Sequence, residues 1–125
     1  MSTTHRIVYD NSSKLSGIVD ESVDLVVTSP PYPMVAMWDE MFGELNQAIS
    51  NMMDSGNNDE ALELMHTELD IIWDSLFRVL KHGGIACINI GESTRTLDGV
   101  FKLYNSNSRI LTSCLSFGFE SIPSK

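Results

Sequence analysis

The residues best suited to chemistry stand together in Ser29-Pro30-Pro31-Tyr32, at the end of the run Asp24-Leu-Val-Val-Thr28. An apolar run after an acidic residue reads as a buried strand. Two consecutive prolines fix φ and remove two backbone donors. The carbonyls beside them have fewer local partners and are left to accept from something else. With the short hydroxyl of Ser29 and the flat ring of Tyr32, the segment offers acceptors and an aromatic plate, which suits holding a planar amine. In an arbitrary protein, Pro-Pro-Tyr is more often a rigid turn with a packing aromatic. Here the preceding strand and the serine weigh the other way.

Hydrophobic spacing gives the elements that must position this segment. His5 to Asp10 reads as a short strand, Lys14 to Val19 as one or two helical turns, and Val23 to Thr28 as a second strand. Trp38 to Met53 reads as one helix, with Met41, Leu45, Ile49 and Met52 on its apolar side. Asp54-Ser-Gly-Asn-Asn58 is a break. Leu62, Met65, Leu69, Ile72, Leu76 and Leu80 keep helical spacing and predict a long helix from about Asp59 to Lys81. His82-Gly83-Gly84 ends it, since glycine tolerates a left-handed cap. Ile85 to Ile90 is a continuous apolar run, as for a parallel strand covered on both faces. Gly91 to Thr96 reads as a loop, Ser108 to Phe117 as a helix, and Phe119 to Ile122 as the start of another strand.

Strands alternating with helices imply an α/β domain with a mostly parallel sheet. Ligands in such sheets bind beyond the carboxyl ends of the strands. Asp10, Ser29 to Tyr32 and Gly91-Glu92 all fall at such ends.

The chain's 125 residues suffice for one domain, and 42% hydrophobic content is enough for a core. No apolar run approaches the roughly 18 residues of a membrane span, and Met1 to Arg6 lacks a signal-peptide core. Cys87 and Cys114 read as buried free thiols in a reducing, cytoplasmic compartment. Net charge is −9, from 17 acidic and 8 basic residues. Duplex binding rests on Lys and Arg neutralising phosphates, and Arg95, Lys102 and Arg109 form only a weak basic edge. Glu92 and Arg95 read as solvated loop charges. His5, His66 and His82 lack metal spacing and read as surface residues. Trp38 reads as helix-to-core packing, with capping of a target pocket as the alternative, and Met34, Met37, Met41, Met52, Met53 and Met65 as gap-filling core or interface residues.

Ser29-Pro30-Pro31-Tyr32 resembles motif IV of the amino-methylating DNA methyltransferases, which use S-adenosylmethionine. The Thr-Ser-Pro-Pro-Tyr form is most similar to the cytosine-N4 subgroup, Asp-Pro-Pro-Tyr being commoner in adenine-N6 enzymes. Further matches are Ile7-Val-Tyr-Asp10, the junction Leu76 to Ile85, Asn89-Ile-Gly91, and Arg109 to Phe119. The resemblance implies a partial Rossmann-like methyltransferase fold. It makes Ser29, Pro30, Pro31 and Tyr32 catalytic and puts Asp10 and Thr28 on the cofactor side. For Asp10, an Asx turn at the strand end is an equal alternative. An exocyclic amine is a poor nucleophile because its lone pair is delocalised into the ring. The Ser29 hydroxyl and Pro30 carbonyl would accept its N–H bonds, and Tyr32 would stack on the flipped base.

Departures carry equal weight. Tyr9 stands where the family often has glycine, and His82 where it has proline. The family's Phe-x-Gly-x-Gly cofactor motif does not occur. The expectation is therefore that residues 1–125 are the N-terminal catalytic portion of a methyltransferase, without the cofactor glycine motif or target-recognition region. Most DNA contacts would come from the missing regions. A homodimer or a complementing C-terminal chain is expected. RNA or protein-amide methylation and a non-catalytic subunit are the alternatives.

Overall fold

The computed structural model describes residues 1–122. Parallel strands β1 (Val23–Thr28) and β2 (Leu80–Ile88) form one sheet. Between them run a 3-10 turn (Ala36–Trp38) and the helices α1 (Asp39–Leu45), α2 (Gln47–Asp54) and α3 (Asn58–Val79). An antiparallel hairpin, β3 (Ser93–Leu97) and β4 (Val100–Tyr104), and helix α4 (Ser106–Phe117) follow. The α/β class with a parallel pair flanked by helices is the one expected.

Helix α3 is the spine. Its buried face carries Ala61, Met65, Leu69, Trp73 and Leu76 at helical spacing. Against it pack Phe42 of α1, Ile49 of α2, and Ile110 and Cys114 of α4. Val26 and Ile88 bring one face of the β1–β2 sheet onto the same core.

Several expectations need correction. His5 to Asp10 forms no strand and is exposed; a strand needs a paired neighbour, and among the described residues β1 pairs only with β2. Lys14 to Val19 is a chain of turns, since Leu15 at φ 47° breaks any helical run. Its carbonyls are gathered by Arg78, which donates to Lys14, Leu15 and Ile18 and pairs with Asp20 at 2.5 Å. The helix expected over Trp38 to Met53 is two helices. Asn46 is extended and its side chain accepts from the Ala48 N–H at 3.1 Å, so it caps α2 instead of continuing α1.

The glycine stop lies elsewhere too. Helix α3 ends at Val79, and His82-Gly83-Gly84 belongs to β2. Val23 pairs with Leu80 but Leu25 pairs with Ile85, so β2 bulges between them. Gly83, at φ 81°, supplies the left-handed residue that this bulge needs. Within Gly91 to Thr96, expected to be a loop, β3 already begins; Asp98 and Gly99, both at positive φ, close its turn with β4. No strand forms over Phe119 to Ile122.

Two burial expectations also change. The outer sheet face is not covered by described residues: Leu25 is 56% exposed, Val27 73%, and Cys87 is exposed. Cys114 is buried as expected, and burial pushes its thiol up to about 11. His66, expected at the surface, is buried at 2% exposure, its Nε2 lying 3.3 Å from Ser106 Oγ. Among the methionines, Met34 and Met65 are core residues, while Met37 is exposed.

Candidate active site

Strands β1 and β2 end side by side. Thr28 and Ile88 are the last paired residues, and the Asn89 N–H donates to the Thr28 carbonyl at 2.8 Å. From this fork Ser29 leaves on one chain and Ile90-Gly91 on the other. Ser29 is exposed, Pro30 is buried, and Pro31 and Tyr32 are half-buried. The ring of Tyr32 lies beside Gly91: a Cβ at that glycine would sit 3.8 Å from Tyr32 Cε2. Thus two of the polar clusters expected at one sheet edge do meet.

The chain then turns sharply. The Val35 N–H donates to the Tyr32 carbonyl at 3.2 Å, with Pro33 second and Met34 third in the turn. Proline followed by a left-handed residue is the pattern of a type II turn, where the third position favours glycine. Met34 adopts φ 67° there and is buried. Side chains of β3 hold the turn. Ser93 Oγ donates to the Pro33 carbonyl at 3.3 Å, and Arg95 Nη1 to the Met34 carbonyl at 3.4 Å. Arg95 also grips Asp39 bidentately, at 2.9 and 2.7 Å.

The carbonyls of Thr28, Tyr32, Pro33 and Met34 are therefore all engaged. Among the described residues, no hydrogen bond ends on the Ser29 hydroxyl or the Pro30 carbonyl. The two acceptors singled out in the sequence are thus among those left available, with the Ser29 and Pro31 carbonyls.

A cleft of about 350 Å³ lies behind the loop, lined by Asp10, Asn11, Pro31, Met41, Leu69 and Ile72 among others. Asp10 thus reaches the Pro-Pro segment although its strand does not form. Its Oδ1 accepts from the Asn11 N–H at 2.7 Å, and Asn11 in turn accepts from the Ser13 N–H at 2.8 Å. The Asx turn expected of Asp10 is made by Asn11 instead, and no strand end precedes it. Thr28 does not line this cleft.

The expected basic edge does not form. Arg95 pairs with Asp39, Lys102 with Asp59, and Arg109 with Glu63 at 2.6 Å and Asp70 at 3.1 Å. Each of these three cations is paired with a carboxylate, which offsets its charge as a phosphate contact. Hydrogen bonding to Asp39 raises the Arg95 pKa, and hydrogen bonding to Arg109 holds Glu63 below the usual carboxylate range. Arg95 is therefore no solvated loop charge. Its role is signalled by Asp98-Gly99 between alternating residues, a hairpin signature that makes β3 a strand.

Residues 23–118 match the family described as DNA methylase. The chain is 43% identical over 98% of its length to the Type II methyltransferase M.MjaI of Methanocaldococcus jannaschii. It is 41% identical over 98% of its length to the Type II methyltransferase M.MthZI of Methanothermobacter thermautotrophicus. The chain belongs to the DNA methylase family. The chain spans 44% of the first relative and 35% of the second. Its fold matches a candidate DNA modification methylase from Thermus thermophilus with TM-score 0.71 and 24% identity, covering 95% of this chain and 42% of that one. The same protein complexed with S-adenosyl-L-methionine matches with TM-score 0.66 and 27% identity, over 89% of this chain and 40% of that one. The fork, the Pro-Pro-Tyr loop and the cleft all lie in a chain that is less than half the length of these proteins.

Proposed function

We propose that this chain supplies the amine-holding part of a DNA methyltransferase that modifies the exocyclic amine of a flipped base, cytosine-N4 in preference to adenine-N6. S-adenosylmethionine would supply the methyl group as an electrophilic sulfonium. In this reading residues 1–125 are the N-terminal catalytic portion, and the glycine-rich cofactor motif and target-recognition region come from sequence outside it. The observation that supports the reading is the pair of uncommitted acceptors, Ser29 Oγ and the Pro30 carbonyl, at the strand end, followed by a turn whose Tyr32, Pro33 and Met34 carbonyls are engaged.

Those two acceptors would take the two N–H bonds of the amine. That draws the nitrogen toward sp³ and frees its lone pair for in-line attack. The contribution is positioning and electrostatics, with no covalent enzyme intermediate. Tyr32 stacks on the base, worth about 1–3 kcal/mol. Neither cysteine has a role, and Cys114 lies in the core.

The cleft suits part of the cofactor. Its volume of about 350 Å³ falls at the low end of small-molecule sites, which run from about 300 to 1,000 Å³. Asp10 offers a carboxylate acceptor for an adenine edge, and Leu69, Ile72 and Met41 offer apolar walls. Thr28 stands one residue before Ser29 and completes the cofactor side of this proposal.

The test is reconstitution with a second chain carrying the Phe-x-Gly-x-Gly motif, followed by nucleoside analysis of methylated DNA. N4-methylcytosine is expected. Ser29→Ala should lower turnover by about 10²–10³, the usual cost of losing one transition-state hydrogen bond. Wild-type turnover in that variant would sink the role given to Ser29. A second reading, a non-catalytic subunit, is favoured by the net charge of −9 and the carboxylate-paired cations. Reconstituted enzyme that binds DNA but never methylates it would decide for that subunit.

A further inference from the structure

We propose that Arg95 is a positioning residue, which sets the plane of Tyr32 by holding the turn that follows it. The inference rests on the base-stacking reading of Tyr32 and deepens it.

The turn over Tyr32 to Val35 does not hold itself. Met34 sits at φ 67°, where a side-chain-bearing residue is strained, and such conformations persist only when the surroundings impose them. One constraint is burial of the Met34 side chain. The other is the pair of bonds from β3, Ser93 to the Pro33 carbonyl and Arg95 to the Met34 carbonyl. Arg95 is the stronger anchor because it is itself fixed. Its two terminal nitrogens each meet an Asp39 oxygen, and Asp39 is the first residue of α1. One guanidinium therefore joins the hairpin, the start of a helix and the backbone two residues after Tyr32.

Geometry makes this a task for arginine. The planar fork engages both carboxylate oxygens and still directs one N–H at a carbonyl. A lysine at position 95 would keep the charge and most of the stem but could not present that fork. Arg95→Lys thus separates positioning from charge.

The experiment is NMR on the 125-residue chain, reading the cross-peak between the Tyr32 ring edge and the Gly91 α-protons. That contact is implied by the 3.8 Å separation of Tyr32 Cε2 from the Cβ direction of Gly91. Loss of the cross-peak in Arg95→Lys and in Asp39→Asn is expected, with the Trp73 and Phe42 core signals unmoved. A wild-type cross-peak in both variants would overturn the proposal. Arg95→Ala is not relied on, because removing the stem can unfold the hairpin. The readout needs neither cofactor nor DNA, so failure of the methylation reading leaves it unaffected.

Discussion

The Asn89 N–H and the Thr28 carbonyl, 2.8 Å apart, close the fork from which both candidate loops depart. Beyond this bond β1 leads to Ser29 and β2 to Gly91, and the ring of Tyr32, three residues after Ser29, returns to lie beside Gly91. The end of the parallel pair thus brings the loop after β1 back against the loop after β2.

Gly91 faces Tyr32 without needing to be glycine. A Cβ there makes an ordinary contact at 3.8 Å. Gly91→Ala is expected to change stability by less than about 0.5 kcal/mol, as for substitutions that create no clash. Gly91→Leu should instead displace the Tyr32 ring and erase their NMR contact while the thermal transition stays two-state.

Gly83 is different. A side chain would meet nothing within 4 Å, yet φ is 81°. Gly83→Ala should therefore cost about 1–2 kcal/mol through backbone strain alone. Gly17 also has open space around it and has no left-handed φ. Gly17→Ala, compared by urea denaturation, should be near neutral; an equal loss in both would contradict the bulge geometry.

Acid should destabilise the fold through His66. Burial lowers its pKa to about 4, against about 6.5 when unfolded. The unfolded chain then binds the extra proton first, so stability is lost as pH falls from about 6.5 to about 4. The loss is on the order of 3 kcal/mol. Glu63, with its pKa lowered by Arg109, acts in the same direction, losing its contribution as it is protonated. Urea midpoints at about pH 7 and about pH 4.5 should differ accordingly, and His66→Gln should flatten the dependence.

The outer face of the sheet should drive association. Leu25, Val27 and Ile85 are exposed side by side in register, and both outer edges of the two-stranded sheet are unpaired among the described residues. Light scattering is expected to show species larger than a monomer as concentration rises, and Val27→Lys to shift them toward monomer. A clean monomer of the parent chain at high concentration would rule this out.

Much of this is legible in the sequence because it is local. The Leu62 to Leu76 spacing fixes α3, the Val23 to Thr28 run fixes β1, and Pro-Pro removes donors wherever it is placed. What differs comes from tertiary context. The apolar residues Ile7, Val8 and Tyr9 suit a strand but have no partner among the described residues. His66 looks like any surface histidine until α4 brings Ser106 to it. Gly83 has the φ expected of a helix cap, but Leu80 has already turned to extended backbone and paired with Val23. Arg95 looks solvated in the sequence because its partner Asp39 lies on a helix distant along the chain.

The register that joins Val23 to Leu80 also sets an order of events. Pairing β1 with β2 closes a loop that contains the whole α1–α3 crossover. Closing so long a loop costs entropy before any strand contact repays it. The contacts among α1, α2 and α3 close shorter loops than the β1–β2 pairing does. During synthesis β1, with Ser29 to Tyr32 behind it, emerges before its partner β2, so its apolar residues leave the ribosome without the strand they will pair with.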